Sequence, residues 1–93
     1  MMERQHEKPP LTPKFCQHVV VQSTPDPASF KPGADPARVT LFDLGIVSSI
    51  ESVIFIKAVK NRLIPWQIND RDLGSSPSTT VQQSADSISQ NAF

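Results

Sequence analysis

Val39–Ile68 reads VTLFDLGIVSSIESVIFIKAVKNRLIPWQI, and it carries most of the dense apolar material of the chain. Burial of apolar surface is the main driving force for folding. The ordered part is therefore expected here. The 38 residues before it hold seven of the nine prolines. The residues after it are dominated by Ser, Thr, Gln, Asn and Asp.

Within the stretch, Ser48-Ser49-Ile50-Glu51 fits the S-x-x-E capping box. In that motif the first Ser hydroxyl accepts from the amide of the Glu, and the carboxylate reaches back to the Ser amide. Lys57, Lys60 and Arg62 follow at the end where the helix dipole favours cations. Pro65 biases Ile64 out of the helical region. The signals together predict an α-helix over about 49–63. The β-branched run Val53-Ile54 with Phe55-Ile56 supports a competing strand over 53–59, paired with 39–47 as a hairpin.

On a helical wheel Ser52, Phe55, Ile56, Val59 and Leu63 share an arc of roughly 100°, the width of a core-facing stripe. Ile50, Val53, Ile54 and Ala58 fall outside it. The first half of the helix is therefore apolar nearly all round. A helix of that kind is buried in something.

Outward from the centre, two further short elements are expected. Phe15–Gln22 (FCQHVVVQ) is rich in Val and flanked by proline, which predicts a short strand near 16–22. Arg38–Phe42 (RVTLF) predicts a second near 38–42. Residues 1–14 read as disordered or polyproline-like, and 23–37 as a proline-broken loop. The tail from Asp70 has isolated apolar residues and reads as disordered. The organisation expected is a Pro-rich flexible arm (1–38), a helix-forming apolar segment (39–68) and a disordered tail (69–93). A packable part of about 30 residues lies below the ~40 at which chains usually fold unaided. The expected fold class is thus mostly disordered, with one central helix and no independent globular fold.

Charge and ligand chemistry exclude several functions. The formal net charge is zero, and the three segments carry balances of +1, +1 and −2. No basic field exists to hold phosphates, so nucleic acid is not an expected partner. The single cysteine, Cys16, has no disulfide partner in the chain. Cys16-x-His18 would share one face of a strand, with His6 far off across two prolines. Zinc needs three or four ligands in recognisable spacing, so no metal site is expected. With three glycines there is no phosphate-cradling loop, and no G-x-S-x-G surrounds any serine. Asp43 and Glu51 would need a cleft to act as paired carboxylates. Neither an enzyme, a cofactor nor a small-molecule substrate is expected.

Two functional classes remain. The first is a helix that docks on a protein partner or self-associates, with Phe55, Ile56, Val59, Leu63 and Trp66 as its contact set. The second is a single-pass or interfacial membrane protein using Leu41–Val59, nineteen residues whose apolar gain nearly cancels against Glu51 near the midpoint. A chain with no selected function is the third reading. Thr12-Pro13, Thr24-Pro25 and Ser76-Pro77 resemble proline-directed phosphorylation sites. Pro10-x-x-Pro13 has SH3-ligand spacing but lacks the accompanying basic residue. The N-terminus has no apolar leader-like run, and Glu3 and Glu7 argue against a transit peptide, so an intracellular location is the default expectation.

Overall fold

The computed structural model describes residues 11–69 and 73–91. Three α-helices organise them: α1 (Pro13–Gln22), α2 (Ser49–Arg62) and α3 (Val81–Asn91). Short 3-10 turns occur at Pro27–Ser29, Phe42–Leu44 and Ile64–Trp66. The expectation of a mostly disordered chain with a single helix is therefore overturned: the helices pack into a globule. The Cα radius of gyration is 13.1 Å. A compact chain of about 100 residues has ~13 Å and an unfolded one ~30 Å.

The first correction concerns Phe15–Gln22, which belongs to α1 and not to a strand. Thr12 is the N-cap, and its hydroxyl oxygen accepts from the Phe15 amide at 3.2 Å. Pro13 occupies the first turn, where its missing N–H loses nothing. Cys16, Val19 and Val20 then fall at helical i, i+3, i+4 spacing and are buried. The penalty of β-branching in a helix is a few tenths of a kcal/mol per residue, and burying a Val side chain returns ~1.5 kcal/mol or more. Packing wins over propensity here. Ser23 and Thr24 close the helix by donating their hydroxyls to Val19 O at 2.7 Å and Val21 O at 2.5 Å.

The second correction concerns 38–42. The expected strand shrinks to a single antiparallel bridge, Thr40 with Thr80. The Leu41 amide donates to Thr79 O at 2.8 Å, and the Val81 amide to Val39 O at 2.8 Å. Each bridging threonine also starts a helical turn by reciprocal capping. The Thr40 amide donates to Asp43 Oδ2 at 3.0 Å while Thr40 Oγ1 accepts from the Asp43 amide at 3.3 Å. The Thr80 amide donates to Gln83 Oε1 at 3.0 Å while Thr80 Oγ1 accepts from the Gln83 amide at 3.1 Å. The second pair is a full T-x-x-Q capping box that launches α3.

Helix α3 is the third correction, because it lies in the tail expected to be disordered. Val81, Ala85 and Ile88 recur at i, i+4, i+7 and are buried. Ser84 is fully buried between them and donates its hydroxyl to Gly74 O at 2.8 Å. Helix α3 packs mainly on α1. Gln17 Nε2 donates to Gln82 Oε1 at 3.2 Å across that contact.

Helix α2 occupies the expected central position and starts at the expected residue, Ser49, with a different capping bond from the one the capping box implies. Ser48 is its N-cap, but the Ser48 hydroxyl donates to the Glu51 carboxylate and caps no backbone amide. Ser52 donates to Ser75 O at 2.7 Å, tying α2 to the segment before α3. The proline-rich loop is also pinned, through the Asp26 amide on Leu44 O at 2.9 Å and the Gln82 amide on Pro36 O at 2.9 Å. Gly45 turns the chain after the second 3-10 turn at φ 102°. A Cβ there would meet Pro25 Cβ at 3.0 Å.

The core joins Cys16, Val19 and Val20 of α1, Leu41, Leu44 and Ile46 of the connector, Phe55, Val59 and Leu63 of α2, and Val81 and Ile88 of α3. Among the described residues, no buried side-chain nitrogen or oxygen lacks a hydrogen-bond partner. The readings of disorder for 1–10, and for 70–72 and 92–93 of the tail, fall outside the described residues.

Candidate functional site

Helix α2 has two apolar faces, and they have different fates. Phe55, Val59 and Leu63 face inward and are completely buried. Trp66, in the following 3-10 turn, is buried too, with its ring centroid 6.2 Å from that of Phe15 at a tilt of 46°. Ile56 is half-buried against the core. Four of the five expected partner contacts thus lie inside the chain's own fold, and a partner reaches them only if the globule opens.

The opposite face carries Ile50, Val53 and Ile54, with Val47 just before the helix. Ile50 is 68% exposed and Ile54 58%, with Val47 and Val53 both above half. At 100° per residue Ile50 and Ile54 lie 40° apart and nearly opposite Val59. This follows from the all-round apolar character of the first half of α2. One stripe completes the core, and the second stripe remains in water.

The same outer stripe continues through Lys57 and Asn61 to Ile64, which is 66% exposed. There the chain reverses. The Trp66 amide donates to Leu63 O at 2.9 Å, the Gln67 amide to Ile64 O at 3.2 Å, and Gln67 adopts φ 52°. The reversal brings Ile68 back beneath the end of α2. A groove of about 500 Å³ forms there, with Ile56, Ile64, Ile68, Lys57, Lys60 and Gln67 among its lining residues.

The carboxylates near α2 serve local structure. Asp43 accepts from the Thr40 amide. The Glu51 carboxyl is held below its ordinary range, first by the Ser48 hydroxyl and then by nearby backbone amides, with desolvation opposing. Cys16 is fully buried, and burial pushes its thiol up, with the Asp86 carboxylate adding to the shift. On helix α1 the side chains of Cys16 and His18 point about 160° apart, so the shared face of the strand reading is lost. Among the described residues, no group of three or more His, Cys, Asp or Glu could hold a metal.

The three Ser/Thr-Pro positions are in different settings. Thr12 is exposed and caps α1. Thr24 is only 6% exposed, with its hydroxyl on Val21 O. Ser76 is exposed in a turn, with its hydroxyl 2.8 Å from Thr79 Oγ1 and 3.3 Å from Ser78 Oγ.

The span Leu41–Val59 is not one helix. It contains a 3-10 turn, the left-handed Gly45 and the extended Ser48 before α2 begins. Among the described residues, no helix is long and apolar enough to cross a membrane. The 14 residues of α2 extend about 21 Å, against the ~30 Å of a bilayer core. No family model, curated protein or solved structure matches this chain.

The sequence reading missed the outer face as a surface in its own right. The signal was present: Ile50, Val53 and Ile54 at i, i+3, i+4 form a second helical stripe beside Phe55, Val59 and Leu63.

Proposed function

We propose that this chain is a small non-enzymatic interaction protein that self-associates through the outward face of α2. The observation that carries the reading is the exposed cluster Val47, Ile50, Val53 and Ile54 on a helix whose other face already completes a core. Four such side chains leave on the order of 400 Å² of apolar surface, in the range of the largest patch on a typical monomer and often functional at that size. Two copies meeting on this face would bury about half of the ~1,600 Å² of a standard interface before any flanking residue is included. The formal net charge of zero favours a second copy, because no charge repulsion holds copies apart.

The test is the mass of the full chain in solution, by sedimentation velocity up to about 1 mM, where a dissociation constant corresponds to only ~4 kcal/mol. The expected result is a concentration-dependent dimer that the double variant Ile50→Ser/Ile54→Ser converts to a monomer with unchanged circular dichroism. A wild-type monomer throughout the range, or a dimer indifferent to the double variant, rejects self-association through this face. Flotation of the wild type with anionic liposomes while it stays monomeric would favour an interfacial membrane role instead.

A further inference from the structure

We propose that the groove at the C-terminal end of α2 binds an anionic amphiphile, a medium- or long-chain carboxylate. Its tail would lie along Ile56, Ile64 and Ile68, and its head group would meet Lys57. The volume of about 500 Å³ falls within the ~300–1,000 Å³ of small-molecule sites. The groove is lined by the aliphatic side chains of Ile56, Leu63, Ile64 and Ile68 together with Lys57 and Lys60, and among the described residues no acidic side chain lines it. That mixture of aliphatic and cationic lining matches a ligand with an apolar tail and one negative end. The dipole of α2 opposes an anion at this end with about half a charge. Lys57, which lines the groove, carries a whole charge and reverses the sign. Gln67 completes the geometry. A left-handed backbone is uncommon outside glycine, and here it sits at the turn that leads into Ile68, a lining residue of the groove.

The outer face at Val47–Ile54 runs on into Lys57, but Ile56, Leu63 and Ile68 line the groove and are not part of that exposed stripe. The two surfaces are therefore separable by experiment. Laurate, kept below its micellar concentration, is titrated into the full chain by calorimetry, with amide chemical shifts recorded in parallel. One laurate per chain is expected, with shifts concentrated in residues 56–68. Lys57 is exposed, so Lys57→Glu should leave the circular dichroism unchanged while weakening laurate by about fivefold, the scale of an exposed ion pair. Dodecyltrimethylammonium, with the same tail and opposite charge, should bind at least about fivefold more weakly than laurate. Ile50→Ser/Ile54→Ser should leave laurate binding intact. Equal binding of the two head groups, indifference to Lys57→Glu, or shifts centred on Val47–Ile54 would each overturn the assignment.

Discussion

Phe55→Ala removes the largest fully buried side chain of the core. The loss combines the transfer term of the deleted ring with the cavity left between α2 and its neighbours. Truncations of this type destabilise by ~3–5 kcal/mol. A domain of this size has a total stability of about 5–14 kcal/mol at ~0.05–0.15 kcal/mol per residue. The variant should therefore lose between about a fifth and all of its stability. Each kcal/mol moves the melting temperature of a small domain by about 4–8 °C, so the expected fall is on the order of 20 °C. Ile54→Ala, one residue away on the exposed face, should change stability by no more than ~0.5 kcal/mol, the usual range for surface substitutions. The assay is thermal unfolding of both variants followed by far-ultraviolet circular dichroism, with fluorescence of the single tryptophan, Trp66, as a second probe. A docking helix with no core of its own would give two similar, shallow curves. Superimposable melts for Phe55→Ala and Ile54→Ala would refute the division of α2 into a buried and an exposed face.

Three other outcomes are expected. Gly45→Ala should destabilise by ~1–3 kcal/mol in urea melts and by more than Gly33→Ala: both glycines have positive φ, but only a Cβ at residue 45 meets Pro25. Cys16 should stay unreactive toward a thiol reagent in the folded chain and react fully in urea. Because its folded pKa is raised, the stability it contributes is present below the unfolded value of ~8.5 and is lost as pH rises through the folded value, a loss that Cys16→Ala should remove from the alkaline limb. Glu51 has the opposite sign. Its stabilisation is present above the unfolded value of ~4.3 and is lost as pH falls through the lower folded value, and Ser48→Ala should flatten that acid limb in a series of melts.

How much of this could be read in the residues depends on the element. Helix α2 was legible because its stop at Pro65 and its inner stripe Phe55, Val59, Leu63 act locally, and that stripe is the buried one. Its capping residues were legible as participants, though the Ser48 hydroxyl engages the carboxylate of Glu51 and not its amide. Helix α1 was misread because Val19-Val20-Val21 signals strand by propensity. The outweighing signal is Thr12-Pro13, an N-cap followed by proline at the first helical position, a dipeptide that also fits a phosphorylation motif. Helix α3 was missed because Val81, Ala85 and Ile88 look sparse among Ser and Gln. Their spacing carries the information, and the Thr80–Gln83 box marks the start. The bridge between Thr40 and Thr80 was beyond local reading, because it joins residues forty apart. The groove beside Gln67 was equally hidden, since nothing in Ile64-Pro65-Trp66-Gln67 announces a left-handed glutamine.

The central claim is that the chain folds as three helices with α3 docked on α1, and native-state hydrogen exchange of the α3 amides tests it most directly. Ala85 and Ile88 should exchange at least about a hundredfold more slowly than an unstructured chain, within reach of the amides of Phe55 and Val59. Exchange of the whole 81–91 segment at unstructured rates, with α2 still protected, would contradict the three-helix fold.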